Sequence, residues 1–445
     1  MAQAGGALPG FRDFYPEQFA ERAYVTKVWR EVAHRYAFVE YDGPPLEPLD
    51  LYTKKSGDEI VGQLYNFTDK GGREVSLRPE MTPTLARMVS ARANALRKPV
   101  RWFSIPQLFR YERQQRGRLR EHFQLNVDII GESDVTADAE LLAVAIDIMR
   151  EFGLTHEDVR ARVSDRRLLR ALLEGLGATE DQQPAIFAVI DKVHRQPRDI
   201  SEEKLAAAGL NAKTAASVLA LTESADLATV ESRWGSLPGV AEPLGEMRRY
   251  LDQLALLGVA DWVSLDLSIV RGLAYYTGIV FELFDAKGEL RAICGGGRYD
   301  QLLGSMGGPD LPALGFGMGD VVLTELLRDR GLNVTTDSPD FWIAGEDALE
   351  RDVVRTAAAL RRAGASVEYA LRKQQIGKQR KAAQSAGVTY FVTLESGFET
   401  TGGIKVEELG ERDGVEPSPL MRALANAPAT VSSLLAALNE NPRLL

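Results

Sequence analysis

Three stretches set charged and aromatic side chains inside apolar, strand-like runs: Leu-Arg-Pro-Glu at 77–80, Phe-Arg-Tyr-Glu-Arg at 109–113, and Arg-Gly-Leu-Ala-Tyr-Tyr-Thr-Gly-Ile-Val-Phe at 271–281. A guanidinium placed where a core residue would serve needs a partner, and an anionic substrate is the partner an arginine best explains. Arg110 stands beside Leu108, Phe109 and Tyr111, where it is expensive unless paired. With Glu112 on the same strand face it suits phosphate and adenine contacts. Immediately after the Arg271-Gly272 turn, one hydroxyl of Tyr275 and Tyr276 should point into the cleft that Arg271 serves. Together the three stretches read as the site of an ATP-using enzyme.

The elements that must position them follow from periodicity. Residues 122–130 alternate, so Phe123, Leu125, Val127 and Ile129 share one face and His122, Gln124, Asn126 and Asp128 the other. That polar face is either the wet side of an antiparallel sheet or, being mixed amide and acid, a seat for a small zwitterion. Residues 102–112 form its partner, and the polar loop 113–119 makes the pair an antiparallel hairpin with a basic tip. From Arg87 to Arg120 ten basic residues face one acid, Glu112, which is either a solvated face or a local nucleic-acid patch. Gly295, Gly296 and Gly297, and the alternate glycines 315, 317 and 319, permit close backbone approach. They match neither the lysine-containing phosphate loop nor a full dinucleotide fingerprint.

Farther from the site, residues 17–40 read as helix before Pro44, Pro45 and Pro48 break the pattern. Residues 137–152 read as an amphipathic helix, 165–255 as a helical block, and 263–269 and 278–284 as strands. A polar linker at 331–340 precedes Phe341-Trp342-Ile343, a helix with Leu349, Val353, Ala357 and Leu360 on one side, and a strand at 366–371, the alternation of a compact α/β domain.

Length and composition bound the possibilities. The 445 residues suffice for about three domains. Lys and Arg number 53 against 63 Asp and Glu, a net charge of -10, which excludes a generally basic nucleic-acid binder and leaves any RNA contact to a local patch. Cys294 is the only cysteine, so an internal disulfide framework and a cysteine-based zinc site are excluded. The histidines at 34, 122, 156 and 194 do not cluster, and no protein-ligated metal is expected. Pro9, Arg12, Asp13, Pro16 and Glu17 interrupt any signal-like start, and no run reaches membrane-spanning length, so a soluble cytoplasmic protein without a membrane partner is expected.

With Leu-Arg-Pro-Glu-x-Thr at 77–82, Phe-Arg-Tyr-Glu-Arg-Gln-Gln-Arg-Gly-Arg at 109–118, Arg-Gly-Leu-x-Tyr-Tyr at 271–276 and Gly-Gly-Arg-Tyr-Asp at 296–300 in this order, the chain resembles the histidyl-tRNA synthetases, a class II aminoacyl-tRNA synthetase family, over nearly its whole length. The resemblance implies an α+β fold: a catalytic core at 1–164 and 259–330 with a mostly antiparallel sheet flanked by helices, a helical insertion at 165–258, and, after the 331–340 linker, an α/β anticodon-binding domain at 341–445. Pro44 lies where the family's first motif has its proline, which implies a homodimer. The implied substrates are histidine, ATP with Mg²⁺, and tRNA(His).

Carried over by position, Glu80, Thr82 and Gln124 would hold the amino group of histidine, and Asp128 and Tyr276, with Tyr275 beside them, its imidazole. Arg110 and Arg271, the catalytic pair, would hold the ATP α-phosphate and the histidine carboxylate. Glu112 would face adenine, His122 or Phe123 would stack on it, and Gly317 and Gly319 would offer backbone. Gln115, Arg116 and Arg118 would grip the acceptor end of the tRNA. Arg372, Lys373, Lys378, Arg380 and Lys381 would face its stem or anticodon loop unless they form a solvated helix face. Three positions depart from the family: Ala274 replaces an aspartate, Asp128 a glutamate, and Val322 the arginine of the third motif. The lost arginine makes a non-catalytic regulatory paralogue of histidine biosynthesis, or a tRNA-sensing module, the rival readings; the retained Arg110, Glu112, Arg271 and Tyr276 oppose them.

Overall fold

The computed structural model describes residues 6–53, 62–113, 115–270, 276–332, 334, 338–409, 418–425 and 429–440. The chain forms two compact units, Met1–Thr335 and Thr336–Leu445. No described helix is long and apolar enough to cross a membrane.

The first helix, Pro16–Arg35, opens with proline in its first turn, where a missing N–H costs nothing, and buries Val25, Val28, Trp29, Val32 and Ala33 along one stripe. It stops short of the expected residue 40. Ala37 takes a left-handed φ of 59° and breaks the helix, and the next residues, Val39–Glu40 (β1), run parallel to Trp102 and Phe103. A separate three-stranded sheet follows, β2 (Leu46–Pro48), β3 (Tyr65–Thr68) and β4 (Glu74–Leu77) in the order β2-β4-β3.

The main sheet contains β1, β5 (Val100–Ser104), β6 (Gln107–Phe109), β7 (Glu121–Ile130), β8 (Val159–Asp165), β9 (Val263–Leu265), β10 (Ile279–Asp285), β11 (Cys294–Arg298) and β12 (Ala313–Gly319). Its order is β1-β5-β7-β12-β11-β10-β8-β9, with β6 paired to β7, and only the β1/β5 and β8/β9 contacts are parallel. The expected partner of β7 is therefore two strands. Pro106 has no N–H to continue the ladder, although its carbonyl still accepts the Gln124 N–H at 3.1 Å. The strict alternation at 263–269 likewise ends early, because Asp266 turns the chain by accepting the Ser268 N–H at 2.9 Å in place of a strand partner.

Leu125, Val127 and Ile129 of β7 enter a core that also holds the mostly buried helix Val135–Glu151. Asp134 caps that helix by accepting the Thr136 N–H. Between this helix and β11 lies a buried ion pair, Arg298 with Asp138, each 3 % exposed and 2.5 Å apart. Residues 166–256 are helical, and Leu168, Leu172, Val218 and Met247 belong to the same apolar core as β7.

In the second unit β13 (Phe341–Ala344), β14 (Val367–Tyr369), β15 (Tyr390–Leu394) and β16 (Ile404–Glu408) take the order β14-β13-β15-β16, parallel except for β16. The helix Glu350–Arg362 sets Val353, Ala357 and Leu360 against Phe341, Ile343 and Val392.

Strand β12 is glycine-rich for a steric reason. A Cβ on Gly315 would collide with Asp128 Oδ1 and come within 2.9 Å of the Val127 carbonyl oxygen, and one on Gly317 would lie 2.8 Å from Gln124 Cδ. Gly315→Ala should thus cost about 3 kcal/mol in denaturant unfolding, as overpacking does. Gly245→Ala, inside the helix Ala241–Leu256 with nothing near its Cβ position, should instead add roughly 1 kcal/mol; equal effects of the two would refute the steric account.

Candidate active site

Along β7 the polar face is closed off at one end and open at the other: Asn126 and Asp128 are 7 % and 5 % exposed, whereas His122 and Gln124 are half-buried. Above it opens a cleft of about 300 Å³ walled by Arg110, Glu112, Arg118, His122 and Gln124, with Gly317 and Gly319 of β12 in the lining. Each wall has its own support. Arg110 donates through Nε to the Pro79 carbonyl at 2.9 Å and makes no other side-chain bond among the described residues, which leaves its terminal nitrogens for a ligand. Glu112 is buried and ion-paired with Arg118. Desolvation, reinforced by the charges of Arg110 and Arg12, pushes His122 down to about 3, so it presents a neutral ring to the cleft.

Asp128 lies deeper. Its register partners are Trp102 on β5 and Gly315 on β12, and it accepts the Tyr299 hydroxyl. Burial pushes it up to about 7, against the pull of that hydrogen bond. Tyr276 is buried in the same apolar cluster as Tyr299. Glu80, also buried, and Thr82, the first residue of the helix Thr82–Arg92, follow the Pro79 carbonyl that Arg110 holds, and neither lines this cleft. Arg271 and Tyr275 lie outside the described residues.

Phe123, offered with His122 for stacking, lies on the apolar side that the alternation of β7 assigns to it. One position along from His122 it points to the opposite face, where its ring meets Phe14 edge-on at 6.1 Å with the Arg22 guanidinium 4.6 Å away. His122 alone of the two can stack on a ligand in the cleft. Three of the ten basic residues between 87 and 120 meet acids from outside that run: Arg87 pairs with Glu47 at 2.5 Å, Arg101 with Glu140 at 2.6 Å, and Arg116, at the tip, approaches Glu325 at 3.6 Å and Asp329 at 3.7 Å. Gln115 bridges Arg118 across the tip, with Gly117 at a φ of 73° making the turn.

Sequence reasoning missed the cluster behind the cleft. Arg12 binds Glu121 at 2.6 Å and Asp320 at 2.9 Å, and Asp320 accepts the Phe123 N–H at 3.0 Å, so the N-terminal segment ties β7 to the start of the helix Asp320–Asp329. An aspartate opening an otherwise apolar run, Asp320-Val321-Val322-Leu323, was the available signal. Tyr299, inside a motif already singled out, was the other.

In the second unit Arg372 and Lys373 share a cleft of about 250 Å³ with Glu346, Asp347 and Glu350, and Lys373 is 3.7 Å from Asp347. Lys378 is exposed on the helix Ile376–Ser385. Among the described residues no group of three or more His, Cys, Asp or Glu is placed to hold a metal ion.

Known proteins resemble this chain along most of its length. The family model for histidyl-tRNA synthetase matches residues 10–320, and one for an anticodon binding domain matches 323–422. The histidine–tRNA ligase of Opitutus terrae is 47 % identical over 386 residues, covering 86 % of this chain and 88 % of that one. The chloroplastic/mitochondrial histidine–tRNA ligase of Arabidopsis thaliana is 39 % identical over 415 residues, 92 % and 85 % of the two chains. A crystal structure of histidyl-tRNA synthetase from Nostoc sp. PCC 7120 superposes with a TM-score of 0.80 at 22 % identity, covering 92 % of this chain and 95 % of that one, and shares the fold.

The raised Asp128 has a pH signature. A carboxyl whose folded pKa lies above its ordinary 3.8 contributes most stability while protonated, below about 3.8, and loses that contribution as pH rises to about 7. Relative to Asp128→Asn, the protein should therefore lose stability between these values by up to roughly 4 kcal/mol and then level off. Urea unfolding at a series of pH values measures the difference; parallel curves would show that the carboxylate is not desolvated.

Proposed function

The chain belongs to the histidyl-tRNA synthetase family, and on that premise we propose how its cleft carries out the family's reaction, the ATP-driven joining of histidine to tRNA. The observation that carries the reading is the convergence of Arg110, Glu112 and the neutral His122 ring in one cleft beside the glycine-rich floor. Adenine stacks on His122 and meets Glu112. ATP enters as its magnesium complex, and Arg110 holds the α-phosphate. Histidine lies toward Gln124 and Asp128, its imidazole read by Asp128 with Tyr276, and its amino group by Gln124, Glu80 and Thr82. Arg271 and Tyr275 complete this set.

The chemistry follows from charge. A carboxylate oxygen of histidine attacks the α-phosphorus in line, the bond to the β-phosphate oxygen breaks, and pyrophosphate leaves. Arg110 and Arg271 neutralise the charge that spreads over the phosphoryl oxygens. In the second step the terminal ribose hydroxyl of tRNA(His) attacks the acyl carbonyl and AMP departs. Gln115, Arg116 and Arg118 face the acceptor end. The second unit, with Arg372, Lys373 and Lys378, serves the anticodon side, in keeping with the match at 323–422. The protein works as a cytoplasmic homodimer, with Pro44 in the contact between subunits, the helical insertion spans 165–258, and the linker 331–340 leads to the last domain at 341–445. That same match disfavours the regulatory paralogue, which generally lacks such a domain.

Purified protein should exchange pyrophosphate into ATP with histidine and with no other amino acid; no exchange while histidine still binds would favour the regulatory reading. Arg110→Ala should lower that exchange at least ~100-fold with the fold intact, the usual scale for losing a transition-state charge partner. Arg116→Ala should spare exchange, weaken tRNA charging and reduce the salt slope of tRNA binding by about 1. Unchanged charging across salt concentrations would remove the hairpin tip from the RNA contact.

A further inference from the structure

The nucleotide cleft opens into a second, larger one of about 670 Å³, and the two share Gly117, Arg118, Ala292 and Val322. Positive charge collects at this boundary. Arg118 is engaged by Glu112, and Arg162 leans toward Asp266 at 3.6 Å. Arg291, on the connection between β10 and β11, and Arg195, ending the short 3-10 turn Val193–Arg195, line the second cleft. Neither makes an ion pair among the described residues. Asp191 and Glu282 line the same cleft. Burial and then the charges of Arg118 and Arg195, opposed by Glu112, lower the Arg291 pKa. Crowded guanidiniums of this kind are relieved by a polyanion.

Val322 marks the place. It is 7 % exposed and offers no charge at the position where the family resemblance implies an arginine. A Cβ on Gly117 would lie 3.2 Å from Val322 Cγ2 and 3.9 Å from Arg291 Cδ, so the two side chains meet over one glycine at the hairpin tip. An arginine reaching this point from a different strand connection can present its planar fork to phosphate oxygens. Its neighbour Ala292 lines both clefts, which sets the Arg291 arm at the exit of the nucleotide cleft.

We propose that Arg291 supplies the guanidinium that the chain lacks at Val322 and holds the terminal phosphates of ATP where the two clefts join. The assignment rests on the nucleotide reading of the first cleft.

Titrating ATP and AMP separately into full-length Arg291→Ala tests it without requiring turnover. Loss of a charged phosphate contact should weaken ATP about tenfold or more and raise its KM in pyrophosphate exchange equally. AMP affinity and the KM for histidine should stay within about twofold, because neither ligand reaches the boundary. Arg291→Lys should fall between, and Val322→Arg in the Arg291→Ala background should recover ATP affinity, which a merely structural role for Arg291 would not allow. Equal effects on ATP and AMP, or none, would overturn the proposal. So would an unchanged ATP KM with a fall in tRNA charging, which would give Arg291 to the RNA. Selective loss of ATP affinity in a protein that shows no exchange with histidine would uphold Arg291 and count against the histidine reading alone.

Discussion

Two amides and a carboxylate can lie side by side along this face of the sheet because the neighbouring strand surrenders its side chains. Strand β12 does so three times, with Gly315, Gly317 and Gly319 in register with Asp128, Asn126 and Gln124. The same strand must still bury Leu314, Phe316 and Met318 on its other face. This double requirement fixes the alternation of β12, and it places the cleft over the middle of the sheet instead of at an edge. Every other wall of the site is hung from that pairing.

Two buried charge clusters keep the pairing in place, and both join the sheet to segments distant in sequence. Arg298 on β11 reaches Asp138 in the helix behind the sheet and donates to the Glu132 carbonyl at 2.9 Å. Arg12 links Glu121 and Asp320 across the opposite end of β7. Such pairs contribute little net stability, because desolvation consumes most of the attraction, but removing one partner strands the other charge and is costly. They act as registration marks: a strand displaced by one residue would leave a carboxylate buried and alone.

Much of this was legible in the chain itself. The alternation of β7 identified the polar face residue by residue, since a period of two admits only two assignments, and that Asn126 and Asp128 on that face are shielded from solvent follows from β12, which only the fold brings alongside. Residue type did not separate His122 from Phe123, as both are aromatic; the pleat did. Local patterns overran their elements where a single residue ended them, Ala37 after the first helix and Asp266 after β9. The basic run stayed open between two readings because the partners of Arg87, Arg101 and Arg116, namely Glu47, Glu140, Glu325 and Asp329, lie outside it in sequence. Arg291 carried no signal at all, since its meaning comes from standing beside a valine thirty-one positions later in the chain.

The apolar core common to β7 and the helices of 166–256 makes those helices inseparable from the strand that bears the site. Leu219 is 2 % exposed on the helix Ala212–Thr222, none of whose residues lines either of the joined clefts. A truncation of Leu219 would leave the lining of both joined clefts as it is. It would lower the temperature at which half the molecules stay folded, and the cell would experience it as a heat-sensitive allele: competent translation in the cold, and a shortage of charged tRNA when warmed.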